Sequence, residues 1–123
     1  MDQDTALRIV HTYTQRCLAH GLIPKENVVV WSKSRIESGL EKAGTFLKID
    51  HQQEYAMVDF EGEIVKVPLD DLIIANAVPE MEYHRDFLRL NEDQIVEYMV
   101  NYSITPDGIG GGYIMPRQVW AND

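Results

Sequence analysis

Gly44-Thr45-Phe46-Leu47-Lys48-Ile49-Asp50, Tyr55-Ala56-Met57-Val58-Asp59-Phe60-Glu61-Gly62 and Val65-Lys66-Val67-Pro68-Leu69-Asp70-Asp71-Leu72 form the stretch that decides the fold. Its apolar residues recur with a period of two, the spacing of a half-buried strand. Ala56, Val58 and Phe60 share one face and Tyr55, Met57 and Asp59 the other, while Ile64 and Lys66 alternate with Val65 and Val67. Strands are therefore expected over 45–50, 54–60 and 63–67. The linkers are Asp50-His51-Gln52-Gln53 and the tight Glu61-Gly62 turn, which suits an antiparallel meander with Val58, Phe60, Val65 and Val67 in its core. Pro68 has no backbone donor and should stop the ladder or mark an edge. Leu69-Asp70-Asp71-Leu72 reads as a turn before a short last strand, Ile73-Ile74-Ala75.

On the N-terminal side, Ala6, Ile9, Val10, Tyr13 and Cys17 recur at helical spacing, and Gly21 followed by Pro24 supplies a stop. A helix over 4–20 is expected. Val28-Val29-Val30-Trp31 then suits a buried strand. Ser34-Arg35-Ile36-Glu37 has capping-box spacing and opens a helix of two or three turns that Gly44 should end. On the C-terminal side, Asn91 with Gln94 three residues on marks the start of a helix over 92–102, with Ile95, Val96, Met99 and Val100 as its apolar face. Pro106-Asp107-Gly108 reads as a turn and Gly110-Gly111-Gly112 as a hinge. The hinge would let the segment from Tyr113 to Trp120 fold back on the domain or onto a partner.

A chain of 123 residues suits one domain with one core: a helical part with one strand over 1–43, the meander over 44–75, and a helix with a Gly-rich tail over 76–123. The expected class is α+β. No apolar run is long enough to span a bilayer, and Asp2 and Asp4 stand where a signal peptide would carry positive charge. The single Cys17 is compatible with a reducing compartment, so a cytoplasmic location is expected. Net charge is −9, unevenly spread: residues 1–49 hold seven Lys or Arg against five acids, whereas residues 50–97 hold thirteen acids against Lys66, Arg85 and Arg89. Such a field repels phosphate backbones, attracts basic partners and aids solubility.

The three quoted strings together resemble the small SH3-like barrels, including Tudor-type modules, over about a quarter of the chain. The resemblance implies a small antiparallel barrel or meander, here flanked by an N-terminal and a C-terminal helix. It also implies binding of peptides, protein surfaces or nucleic acid rather than catalysis. The helix expected between the Val28 strand and the meander departs from the five-strand pattern.

Residue chemistry adds candidates and removes others. His11, Cys17 and His20 are offset by six and nine residues on one helix, which does not gather them around one ion. No metal site and no cofactor are expected. His51 and His84 have no partner visible in the sequence for general-base work. Asp70-Asp71 and Glu80-x-Glu82 are acid pairs that could hold a cation, but turn chemistry and solvation account for them. The glycines at 108, 110, 111 and 112 follow no buried parallel strand and bring no lysine, which argues against a phosphate loop. The preferred function is a non-catalytic protein-binding module. It would be a small acidic regulator, accessory subunit or inhibitor of the immunity or phage-antagonist type, docking on a basic protein through Asp70, Asp71, Glu80, Glu82, Asp86, Tyr113 and Trp120. The alternative is a nucleic-acid module that uses Lys33, Arg35, Lys42 and Lys48 beside Trp31 and Phe46, since stacking with nearby cations is what single strands require. The third reading is an enzyme whose site assembles only in three dimensions. The sequence assigns no oligomeric state.

Overall fold

The computed structural model describes residues 3–40, 42–104 and 119–121. The first helix, α1 (Gln3–Ala19), buries the expected stripe of Ile9, Val10, Tyr13 and Cys17 together with Thr14. It ends where Gly21 N donates to Leu18 O and Leu22 N to Cys17 O, at 2.9 and 3.1 Å, which satisfies carbonyls that have no partner within the helix. Its polar side is stitched to the sheet. Thr14 Oγ accepts from Ile74 N at 3.0 Å, Gln15 Nε2 donates to Leu69 O at 2.7 Å, and His11 Nε2 donates to Asp70 O at 2.7 Å.

Five antiparallel strands make one open sheet: β1 (Val29–Ser32), β2 (Gly44–Ile49), β3 (Tyr55–Phe60), β4 (Glu63–Pro68) and β5 (Leu72–Ile74), in the order β4-β3-β2-β1-β5. The meander appears with the expected alternation. Phe46 opposes Val58, Val58 opposes Val65 and Ala56 opposes Val67; of the four residues expected in its core, Val58, Phe60 and Val67 are buried, whereas Val65 is half-buried. An irregularity between Phe46 and Lys48 shifts the register of β2 against β3. After Pro68 a 3-10 turn, Leu69–Asp71, carries the chain back to β1, where Val30 pairs with Ile74 and Ser32 with Leu72. β4 and β5 thus lie at opposite edges, so of the expected barrel or meander the structure has the meander, within an open sheet.

The segment after β1 departs from expectation. α2 (Lys33–Glu37) has five residues, not two or three turns, and its cap is Ser32, whose side chain accepts from Arg35 N at 3.5 Å. Ser34 is held by the Asp71 carboxylate, which accepts from its amide at 2.9 Å and from its hydroxyl at 2.7 Å. Gly39, at φ +87°, ends the helix early. Gly44 meets a steric requirement of the sheet instead. A Cβ there would meet Val58 Cγ1 at 2.5 Å and the Phe60 ring at 2.8 Å, so only glycine lets β2 pass this close to β3.

Two helices complete the described chain. α3 (Val78–Asp86) follows a second 3-10 turn, Ala75–Ala77, and no sequence pattern predicts it. α4 (Glu92–Ile104) begins as expected with a reciprocal box: Gln94 N donates to Asn91 Oδ1 and Asn91 N to Gln94 Oε1, both at 2.9 Å. α1 packs against β5, α3 and α4. Residues 119–121 return to the domain, with Lys25 N donating to Val119 O and Ala121 N to Ile23 O. Trp120 is buried beneath them. Its indole N–H donates to Tyr13 OH at 2.7 Å; Ser103 Oγ donates to Met99 O at 2.9 Å, so the Tyr13 hydroxyl donates to Ser103 Oγ at 2.8 Å. Burial pushes the Tyr13 hydroxyl well above its ordinary value and the Cys17 thiol up to about 12.

Candidate functional site

α3 has one face inside and one outside. Met81 and His84 are fully buried and Glu80 nearly so, whereas Glu82 and Asp86 are exposed and Arg85 half-buried. One helical turn apart, Glu80 Oε1 and His84 Nε2 lie 2.7 Å from each other. The second oxygen, Glu80 Oε2, has no hydrogen-bond partner among the described residues. The His84 ring lies 4.5 Å from that of Tyr98 on α4 and 5.8 Å from that of Tyr83. A carboxylate and an imidazole at this distance have the chemistry of a general base, but neither has surface through which a substrate could reach it. The pair spans one turn of α3, and the His84 ring carries it to Tyr98 on α4.

The aromatic contacts continue outward. Tyr83 stacks on Phe87 with centroids 5.2 Å apart and planes 30° apart, and Phe87 is 74% exposed, the most exposed large apolar side chain among the described residues. Phe87 caps α3, its amide donating to Tyr83 O at 2.9 Å. Arg89, at φ +55°, then turns the chain toward α4, and Leu88 beside it is 43% exposed. Arg85 bonds Asp86 through Nε at 2.7 Å and Nη2 at 3.0 Å, and reaches Glu82 at 3.9 Å. This guanidinium holds the Asp86 carboxyl below the usual carboxylate range, first through the hydrogen bond, then through its charge. Across residues 78–104 six carboxylates face two arginines, and of the six Glu82, Asp86, Asp93 and Glu97 are exposed. An aromatic ring in an acidic surround is equipped to receive a cationic, partly apolar surface.

The docking residues expected from the sequence divide accordingly. Glu82 and Asp86 lie on this corner. Glu80 does not, because it is spent on His84, and Trp120 has no surface to offer because it is 2% exposed. Asp71 is committed to Ser32 and Ser34, while the Asp70 side chain is exposed and its carbonyl is held by His11. Tyr113 and the glycines at 108, 110, 111 and 112 lie outside the described residues. Phe87, Leu88, Tyr83 and Tyr98 were not anticipated. Their only trace in the sequence is the apolar pair Phe87-Leu88 set between Arg85-Asp86 and Arg89.

The residues of the expected nucleic-acid patch are engaged in different ways. Arg35 lies over the Phe60 ring, 4.2 Å from its centroid, and Lys42 pairs with Glu61 at 3.0 Å. Phe46 is 1% exposed and cannot stack on a base. Lys48 lies near the far end of β2, roughly 20 Å of extended chain from Lys42. Trp31 and Lys33 remain near each other, on neighbouring parts of the groove between α1 and α2. Among the described residues no group of three or more His, Cys, Asp or Glu side chains could hold a metal ion, and no helix is long and apolar enough to cross a membrane.

Comparison with protein-family models, curated proteins and solved structures finds no match for this chain.

Proposed function

We propose that this protein is a non-catalytic binding module that docks on a basic surface of another protein through the corner formed by α3 and α4. The observation that carries the reading is Phe87: a 74% exposed ring, backed by Tyr83 and flanked by the exposed carboxylates of Glu82 and Asp86. A solvated phenylalanine supported by a second ring presents apolar area with little entropy left to lose, as interface anchors do. The carboxylates around it steer a basic partner and raise the association rate more than they deepen the complex. A small regulator, accessory subunit or inhibitor has this design, and a reducing compartment such as the cytoplasm suits its one thiol.

The same reading keeps the SH3-like resemblance as a relationship of the sheet. In its favour are five consecutive antiparallel strands in one sheet with a 3-10 turn before the last; against it stand the open edges and α2 between the first two strands. The test combines Phe87→Ala with charge reversal at Glu82 and Asp86, all exposed positions. Phe87→Ala should raise the dissociation rate, and the reversals should slow association and flatten its salt dependence, with melting unchanged. If Lys33→Glu abolished binding while these variants did not, the corner would not be the docking surface.

A further inference from the structure

Two cavities lie along α1. A chamber of about 450 Å³ lies between α1 and α2 over Ile73, and a slot of about 190 Å³ is lined by Ala6, Trp31 and Val78; both share Gln3, Leu7 and Ile36, so they are two parts of one groove. The chamber falls within the volume range of small-molecule sites. The two parts differ in chemistry. Slot walls are apolar apart from Gln3, with the half-buried indole of Trp31 along one side.

Polar groups gather in the chamber. Asp4, Arg8 and His11, at offsets of four and seven residues, project from one face of α1, and Lys33 and Glu37, four apart, project from α2. Two carboxylates, two permanent cations and one imidazole therefore line an apolar floor, one of the cations, Arg8, being shared with Glu92 on α4. A separate cavity of about 420 Å³ beside β2 differs, because there Glu26 and Asp50 outnumber Lys48. Lys33, Asp4 and Glu37 form no ion pair among the described residues, whereas Arg8 is tethered to Glu92 through Nη2. His11 is already oriented: donation to Asp70 O places a proton on Nε2 and leaves Nδ1 as the acceptor in the neutral ring.

We propose that this groove binds a zwitterionic small molecule of the amino-acid class, with a large apolar side chain in the Trp31 slot. Its ammonium pairs with Asp4 and Glu37, and its carboxylate with Lys33 and Arg8. A simple anion or cation would satisfy one pair of charges and be repelled by the other, whereas a zwitterion satisfies both. The side chain displaces water from Leu7, Ile36 and Trp31. The site shares no residue with the Phe87 corner, although Val78, which begins α3, forms part of the slot.

The probes are phenylalanine and leucine, with N-acetylphenylalanine and phenylalanine amide as versions that each lack one charge. Binding is followed by backbone amide NMR shifts and by fluorescence; Trp120 is 2% exposed, so a ligand-dependent fluorescence change reports Trp31. Phenylalanine should saturate shifts at Leu7, Trp31 and Ile36, and each singly charged version should bind at least about tenfold more weakly, the equivalent of one lost charge-assisted hydrogen bond. Lys33→Glu and Glu37→Lys are exposed substitutions that suit their ends of α2. Lys33→Glu should weaken phenylalanine about tenfold while improving the amide, and Glu37→Lys should weaken phenylalanine while improving the N-acetyl form. Equal binding of all three phenylalanine forms would reduce the site to an apolar slot and overturn the proposal. Saturating shifts elsewhere in the protein, or no saturable binding of either amino acid, would also overturn it.

Discussion

Replacing His84 with alanine removes a fully buried imidazole and leaves Glu80, 1% exposed, facing the space its partner occupied at 2.7 Å. Breaking such a pair from one side costs about 3–5 kcal/mol, because the remaining polar group stays buried without compensation. Glu80 Oε2 already has no hydrogen-bond partner among the described residues, so the carboxylate has little else to lean on. Glu80→Met removes one hydrogen-bond partner of the buried imidazole and should cost about 1–3 kcal/mol. The double variant Glu80→Met, His84→Leu removes both polar groups and fills the space with apolar atoms of similar size. It should lie within about 2 kcal/mol of the parent. Urea denaturation of the parent, Glu80→Met, His84→Leu and the double variant gives the coupling directly, and the double variant should be more stable than the sum of the single losses by at least about 2 kcal/mol. Strict additivity, or a His84→Ala loss under about 1 kcal/mol, would refute the view that the two buried groups stabilise the fold as a pair.

Three further outcomes follow from local geometry. Trp120→Phe should lose about 1–2 kcal/mol, since it keeps an aromatic ring but removes the indole N–H that Tyr13 accepts, whereas Trp120→Ala should lose about 3–5 kcal/mol; thermal melting separates the two. Asn91→Ala should cost about 0.5–2 kcal/mol in urea denaturation, because the amide of Gln94 loses its acceptor. The Cys17 thiol, pushed up to about 12 by burial, keeps its proton in the folded protein after the unfolded chain has lost it. Stability should therefore fall as pH rises above about 9, by roughly 1.4 kcal/mol per unit for this one proton. Cys17→Ala should flatten that slope by one proton, and an equal slope in both proteins would contradict the assignment.

What the sequence disclosed depended on how far apart the deciding residues stand. The meander and the Asn91–Gln94 box are short-range patterns, and both appear as read. α3 was invisible because Glu80 and His84 occupy its inward face, where an apolar period would have shown. Ser34 looked like a cap, but Asp71, 37 residues away, holds it and the capping role passes to Ser32. Trp120 looked like a contact for a partner until its hydrogen bond to Tyr13, across 107 residues, placed it in the core. The candidate site suffered in the same way. Glu82 and Asp86 were legible as acids, yet the ring that gives them a purpose, Phe87, follows a helix that polar residues had disguised.

Site-specific photo-crosslinking reports which surface of the protein meets its partner. A photoreactive phenylalanine analogue is placed at position 87 in one sample and at position 33 in another, and both are irradiated in extract of cells that express the protein. Docking through the α3–α4 corner predicts a protein adduct from position 87 alone, attached within a segment rich in lysine and arginine. High salt or reversal of Glu82 and Asp86 should reduce its yield, and nuclease should not. An adduct that formed equally well from position 33, joined an acidic segment, or disappeared with nuclease would contradict the account.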